Sequence, residues 1–156
     1  MARDGTNRAG EESQTLYHRD YYTWTLEQAR ALRQRRASSL DWENLAEEVE
    51  DLGKSERREL QNRLEVLLEH LLKWQHQPKR RTRSWTSTIA IQRLKLRQLL
   101  DENPGLKPTV PELLAKAYQP ARIKVASRLP KAAEGQLPES CPWTFEQVMD
   151  ETFRVD

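Results

Sequence analysis

The chain has 156 residues, one domain's length and enough for a single sizeable core. Its 26 Lys and Arg against 24 Asp and Glu leave a net charge of only +2, and apolar residues make up 37% with 5 Gly and 8 Pro. That composition excludes collagen-like, disulfide-scaffold and fully disordered classes. The one cysteine, Cys141, permits no intrachain disulfide and fits a reducing compartment. No run of about 18 apolar residues is present and the first thirty residues lack a signal-peptide core, so a cytoplasmic protein without a membrane segment is expected.

Residues 1–14 are small and polar without apolar periodicity and read as a disordered tail, leaving 15–156 as one helical domain. Helical spacing begins near Leu16. A first helix is expected over 19–36, with Trp24, Gln28, Ala31 and Leu32 on one face and Arg30, Arg33, Arg35 and Arg36 at the negative end of its dipole. The strongest pattern follows: Leu45, Val49, Leu52, Leu60, Leu64, Leu67, Leu71 and Trp74 recur at steps of three or four, broken only at Glu56. Asp41 is its N-cap and Pro78 its end. Gly53 inside it costs about 1 kcal/mol relative to Ala and marks a bend or a close helix crossing.

After a basic loop at 79–83, Ser84 is read as the cap of a third helix bearing Trp85, Ile89, Leu96, Leu99 and Leu100. The β-branched residues at 85–91 also suit a strand, but the spacing through Leu100 favours helix. Asn103-Pro104-Gly105 breaks it. A fourth helix is expected at 111–128, kinked or divided by Pro120, then a loop over 129–143. Thr144 with Gln147 reads as a capping box for a short last helix. The fold class is all-α, a bundle of about four to five helices around one long central helix.

The small net charge conceals a split. Residues 1–56 are net −4, residues 57–107 net +7 and residues 108–156 net −1, and residues 70–100 hold eight Lys or Arg with no acid. Such asymmetry bears on partners rather than on fold.

Several runs are similar to one known family: DYYTW at 20–24, LDWENLAEEVEDLGKSE at 40–56, LEHLLKWQHQP at 68–78, RSWTSTI at 83–89 and CPWTFEQVMD at 141–150. Together they resemble a bacterial family catalogued as domain of unknown function twenty-nine, over about residues 15–153. The resemblance implies an all-helical fold. It implies no activity, substrate or site residue, because the family is named for lacking them.

Catalytic constellations are scarce. Two-metal carboxylate bundles use Glu-x-x-His pairs, and the chain contains none. His70 and His76, six apart, lie about 240° apart around a helix. Cys141 precedes Pro142 with no His near it in sequence to activate the thiol. P-loop, Rossmann and nucleophile-elbow glycine patterns are missing. No catalytic residue, cofactor or metal site is assigned, and the balance leans away from an enzyme.

The charged segments are the better candidates. Lys73, Lys79, Arg80, Arg81 and Arg83, with Arg93, Lys95 and Arg97 following, flank Trp74, His76 and Trp85, a pairing of cations and aromatics that suits nucleic acid. Glu43, Glu47 and Asp51, with Glu48 and Glu50, form an acidic counterpart to which those cations would pair within a bundle. His70, Trp74 and Trp85 fall near apolar faces, where a partly polar core is the ordinary role, and Trp24, Trp42 and Trp143 are expected to anchor packing. The leading expectation is a non-enzymatic module that binds a protein partner or a second copy through this charged surface. The alternatives are a small nucleic-acid-binding regulator using residues 73–97, and an enzyme whose site gathers Glu47, Asp51, His70 and Arg83.

Overall fold

The computed structural model describes residues 5–153. Among them are seven α-helices and no strand: α1 (Gly5–Arg19), α2 (Tyr21–Arg33), α3 (Trp42–His76), α4 (Arg83–Glu102), α5 (Val110–Ala126), α6 (Lys131–Glu134) and α7 (Phe145–Met149). Short 3-10 turns occupy Ala37–Ser39, Pro78–Arg80 and Pro104–Thr109. The fold is therefore all-α with one long helix, and the strand alternative at 85–91 is not realised. The chain clusters into two compact units, one through Ser55 and one from Glu56 onward, where the sequence suggests one domain.

In the first unit, helix begins earlier than expected. Of the stretch expected to be a tail, residues 5–14 lie in α1 and the first four lie outside the described residues. Docking on α2 and on the 37–39 turn supplies the order that α1's own apolar pattern does not. The expected helix at 19–36 also starts differently, because Asp20 caps α2: its Oδ1 accepts from the Thr23 amide at 3.0 Å. At the other end Arg35 adopts φ 55°. The Arg36 amide donates to Ala31 at 2.9 Å and the Arg35 amide to Leu32 at 3.1 Å, a Schellman closure that favours glycine at the left-handed position. Arg35→Gly should therefore raise stability by about 1 kcal/mol, read as a higher urea midpoint at unchanged slope.

Buried Trp24, Gln28 and Asp41 tie this unit together. The Trp24 indole donates to Asp41 Oδ2 at 3.1 Å, the Asn44 side chain donates to the same oxygen at 2.7 Å, and the Asp41 amide donates to Gln28 at 2.8 Å. Tyr17 and Tyr21 both donate to Glu48, at 2.7 and 2.6 Å. The resulting ion–phenol contact holds the Tyr17 proton, whose pKa is pushed up to about 12 by that hydrogen bond first of all.

The second unit holds the larger core. Leu60, Leu64, Leu67, Leu68, Leu71 and Leu72 of α3 are buried with Ile89, Leu96 and Leu99 of α4, and with Leu113, Ala117, Tyr118 and Val125 of α5. Each buried leucine contributes about 1.5–3 kcal/mol by area removed from water. Thr82, not Ser84, caps α4, in extended geometry with its hydroxyl accepting from the Trp85 amide at 3.3 Å, so the helix starts two residues before the expected place. The α5 helix runs through Pro120 as one element. The capping box of α7 is complete: Gln147 N donates to the Thr144 hydroxyl at 3.2 Å and Thr144 N to Gln147 Oε1 at 2.9 Å.

The long apolar stripe of α3 is not buried throughout. Leu60 onward it is core, yet Val49 and Leu52 are 66% and 69% exposed. Trp42, expected to anchor packing, is 63% exposed. A Cβ added at Gly53 would meet no atom of the described residues within 4 Å.

Candidate functional site

The basic stretch 73–97 divides into cations committed to the fold and cations left at the surface. Lys73 on α3 is buried and pairs with Glu69 at 2.7 Å, its ammonium 5.8 Å from the Trp85 ring centroid. Arg81 donates through Nε to the Trp74 carbonyl at 2.9 Å and lies 4.7 Å from the Trp74 ring centroid. Arg93 is buried and donates to two backbone carbonyls, Val148 at 2.8 Å and Phe153 at 3.2 Å. Arg97 pairs with Glu151 at 2.7 Å.

Lys79, Arg80, Arg83 and Lys95 differ. All are exposed and none has an ion pair among the described residues. Lys79 and Arg80 sit in the 3-10 turn that follows α3, and Arg83 is the first residue of α4, whose first turn carries no acid. A cation at the N-terminal end of a helix faces the positive pole of the dipole, a placement that stability does not favour.

Glu69 faces more cations than Lys73: Arg128 lies 3.6 Å from one of its oxygens and Lys124 4.0 Å from the other. Burial pushes the Glu69 carboxyl up, but the hydrogen bond from Lys73 and the charges of Lys73, His70 and Lys124 outweigh it, leaving the group below its ordinary value. His70, half-buried, has Nδ1 2.8 Å from the Val66 carbonyl, and burial pushes its pKa down. Burial does the same to His76. Burial raises the Cys141 thiol, which makes it a poor nucleophile at neutral pH.

Glu43 and Glu47 are exposed on the first turns of α3, and Asp51 pairs locally with Lys54 at 3.1 Å. Glu47 and Asp51 belong to the first unit, while His70 and Arg83 belong to the second. Trp74 and Trp85 are partly buried. Sequence reasoning gave no special place to Glu69 and gave Arg93 a surface role. The steps of four, three and four from Ile89 through Arg93 to Leu96 and Leu100 were the available signal that Arg93 shares the buried face.

A cleft of about 500 Å³ opens beside this core, lined by Leu71, Trp74, Ile89, Arg93, Arg97 and Phe153 among others. Its two arginines are already engaged on Val148, Phe153 and Glu151. Among the described residues no three His, Cys, Asp or Glu side chains converge as metal ligands would, and no helix is long and apolar enough to cross a membrane.

Fold and surface define an all-helical protein with a divided charge pattern and a cluster of outward cations at the α3–α4 corner. The chain belongs to the family described as Domain of unknown function DUF29, whose model matches residues 16–154. No curated protein and no solved structure matches it.

Proposed function

We propose that the protein is a non-enzymatic interaction module of the cytoplasm whose α3–α4 corner binds an acidic segment of a protein partner. The observation that supports this reading is the group Lys79, Arg80 and Arg83, exposed and without an ion pair among the described residues, with Arg83 on the positive end of α4. Three cations held together against their mutual repulsion favour an anionic partner. A protein is favoured over nucleic acid because the two indoles nearest the corner are engaged: Trp74 lies under Arg81 and Trp85 under Lys73. Neither offers a clear face for stacking a base.

The test compares a fluorescent Asp/Glu-rich peptide with a single-stranded oligonucleotide of equal charge, in a salt titration. The peptide should bind more tightly, and Lys79→Glu/Arg80→Glu/Arg83→Glu should weaken it at least tenfold at unchanged helicity. Equal binding by the triple variant would overturn the reading, and tighter binding of the oligonucleotide would favour the nucleic-acid alternative.

A further inference from the structure

A cleft of about 490 Å³ adjoins the basic corner, wholly within the second unit. Residues of the turn after α3 and of the chain leaving α5 line it, among them His76, Lys79, Arg80, Arg128, Leu129 and Pro130. Lys79 and Arg80 thus belong both to the outward corner and to the cleft, whereas Arg83 belongs to the corner alone. Among the described residues no Asp or Glu lines it. Its volume lies in the ordinary range of about 300–1,000 Å³ for ligand pockets.

The charge balance favours an anion. The carboxyl ends of α3 and α5, both at the cleft, each contribute about −0.5 elementary charge. Lys79, Arg80 and Arg128 supply three positive charges against them, so the cleft stays net positive. Lys79 and Arg80 have no ion pair among the described residues. Arg128 lies 3.6 Å from Glu69, but that carboxylate already holds Lys73 at 2.7 Å, and the Arg128 side chain is 54% exposed. His76 adds an unmet requirement. Its Nε2 is buried with no hydrogen-bond partner among the described residues, and burial keeps the ring neutral by lowering its pKa. A neutral imidazole with its proton on Nε2 donates one hydrogen bond, which a ligand oxygen would accept.

The same residues distinguish phosphate from carboxylate. A phosphoserine side chain carries about −1.5 to −2 charges and three acceptor oxygens at neutral pH, more than Asp or Glu can present. Two guanidinium forks and an ammonium match that number of oxygens, and arginine pairs with phosphate bidentately. Leu129 and Pro130 offer the ester carbon an apolar wall. We propose that this cleft receives a phosphorylated serine side chain of the acidic partner segment, held by Lys79, Arg80 and Arg128. The inference rests on the function proposed above, since the corner and the cleft share Lys79 and Arg80.

Three fluorescent peptides of one Asp/Glu-rich sequence are titrated against the full chain by anisotropy. One carries a central phosphoserine, one has Ser there, and one has Ser with two further Glu that match the phosphate charge. The phosphopeptide should bind at least about tenfold more tightly than the charge-matched peptide. Arg80→Gln/Arg128→Gln should bring that ratio close to one, at unchanged helicity because both side chains are exposed. Arg80→Gln alone, which leaves the surroundings of Glu69 intact, should lower the ratio part of the way. Arg83→Gln, outside the cleft, should weaken all three peptides and leave the ratio unchanged. Equal binding of the phosphopeptide and its charge-matched counterpart would overturn the inference and leave the acidic-partner reading in place. Failure of every peptide to bind would overturn both. A ratio that survives Arg80→Gln/Arg128→Gln would place the preference elsewhere and overturn the inference alone. Inorganic phosphate that displaces the phosphopeptide at equal concentration would make the free ion the occupant instead.

Discussion

Replacing Glu69 with alanine is expected to lower stability by about 2–3 kcal/mol, seen as a reduced urea midpoint at pH 7.5. Lys73 is only 7% exposed and depends on that carboxylate at 2.7 Å, so the variant strands a buried ammonium. Breaking a fully enclosed ion pair costs about 3–5 kcal/mol. The expected value is lower because Lys124 and Arg128, at the rim of the cluster, are half exposed and keep it near solvent. Glu69→Leu/Lys73→Met should recover most of the loss, since it removes both charges and keeps the volume apolar. Equal stability of Glu69→Ala and the parent would show that Lys73 reaches water without its partner.

The same cluster sets a pH dependence whose sign follows from the direction of each shift. Folding depresses the Glu69 pKa below its ordinary value of 4.5, so the stability it contributes is complete above that value and is lost as pH falls through the lower folded value. Folding also depresses His70 and His76 below 6.5. Both are favoured neutral, so their contribution is complete above pH 6.5 and declines as pH falls below it. Chemical denaturation across pH should therefore show two stages of loss on acidification, beginning near 6.5 and near 4.5. Glu69→Gln should diminish the second stage and deepen the first, because the Glu69 charge raises the His70 pKa against burial.

The second large effect is expected at Arg93. Its guanidinium, 6% exposed, reaches Val148 O and Phe153 O, so one side chain of α4 holds the end of α7 and the segment after it. Val148 lies in the last turn of a five-residue helix, where the carbonyls have no partner within the helix. Arg93→Met would preserve much of the volume and leave these acceptors without their donor, at a cost of about 2–4 kcal/mol. Arg93→Lys should recover only part of it, because an ammonium lacks the planar fork. Hydrogen exchange should localise the change, with protection lost first over residues 145–153. Loss spread evenly over the second unit would contradict an anchoring role for Arg93.

Much of the helical pattern is legible in the sequence. Apolar steps of three and four locate α3 and α4 to within two residues of their expected starts, and the Thr144–Gln147 capping box appears as read. These features depend on residues within one or two turns of each other, so the information is local. The divergence at the amino terminus has the opposite cause: α1 has little apolar periodicity and gains its order from α2. The start of α4 moved because Thr82 and Ser84 are both competent caps, and only backbone geometry chooses between them.

The candidate surfaces were legible as charge but not as commitment. Arg93 and Arg80 are equivalent in composition, yet one is buried on two carbonyls and the other has no ion pair among the described residues. Likewise Val49 and Leu64 occupy one apolar series, yet the first is 66% exposed and the second 0%. The sequence by itself determined the all-helical class, the long α3, its caps and the reversal of charge along the chain, because each follows from neighbours in sequence. Only the tertiary structure decided which turns of α3 are core and which cations remain outward. That choice depends on which distant elements arrive to cover each face, and helical periodicity carries no record of it.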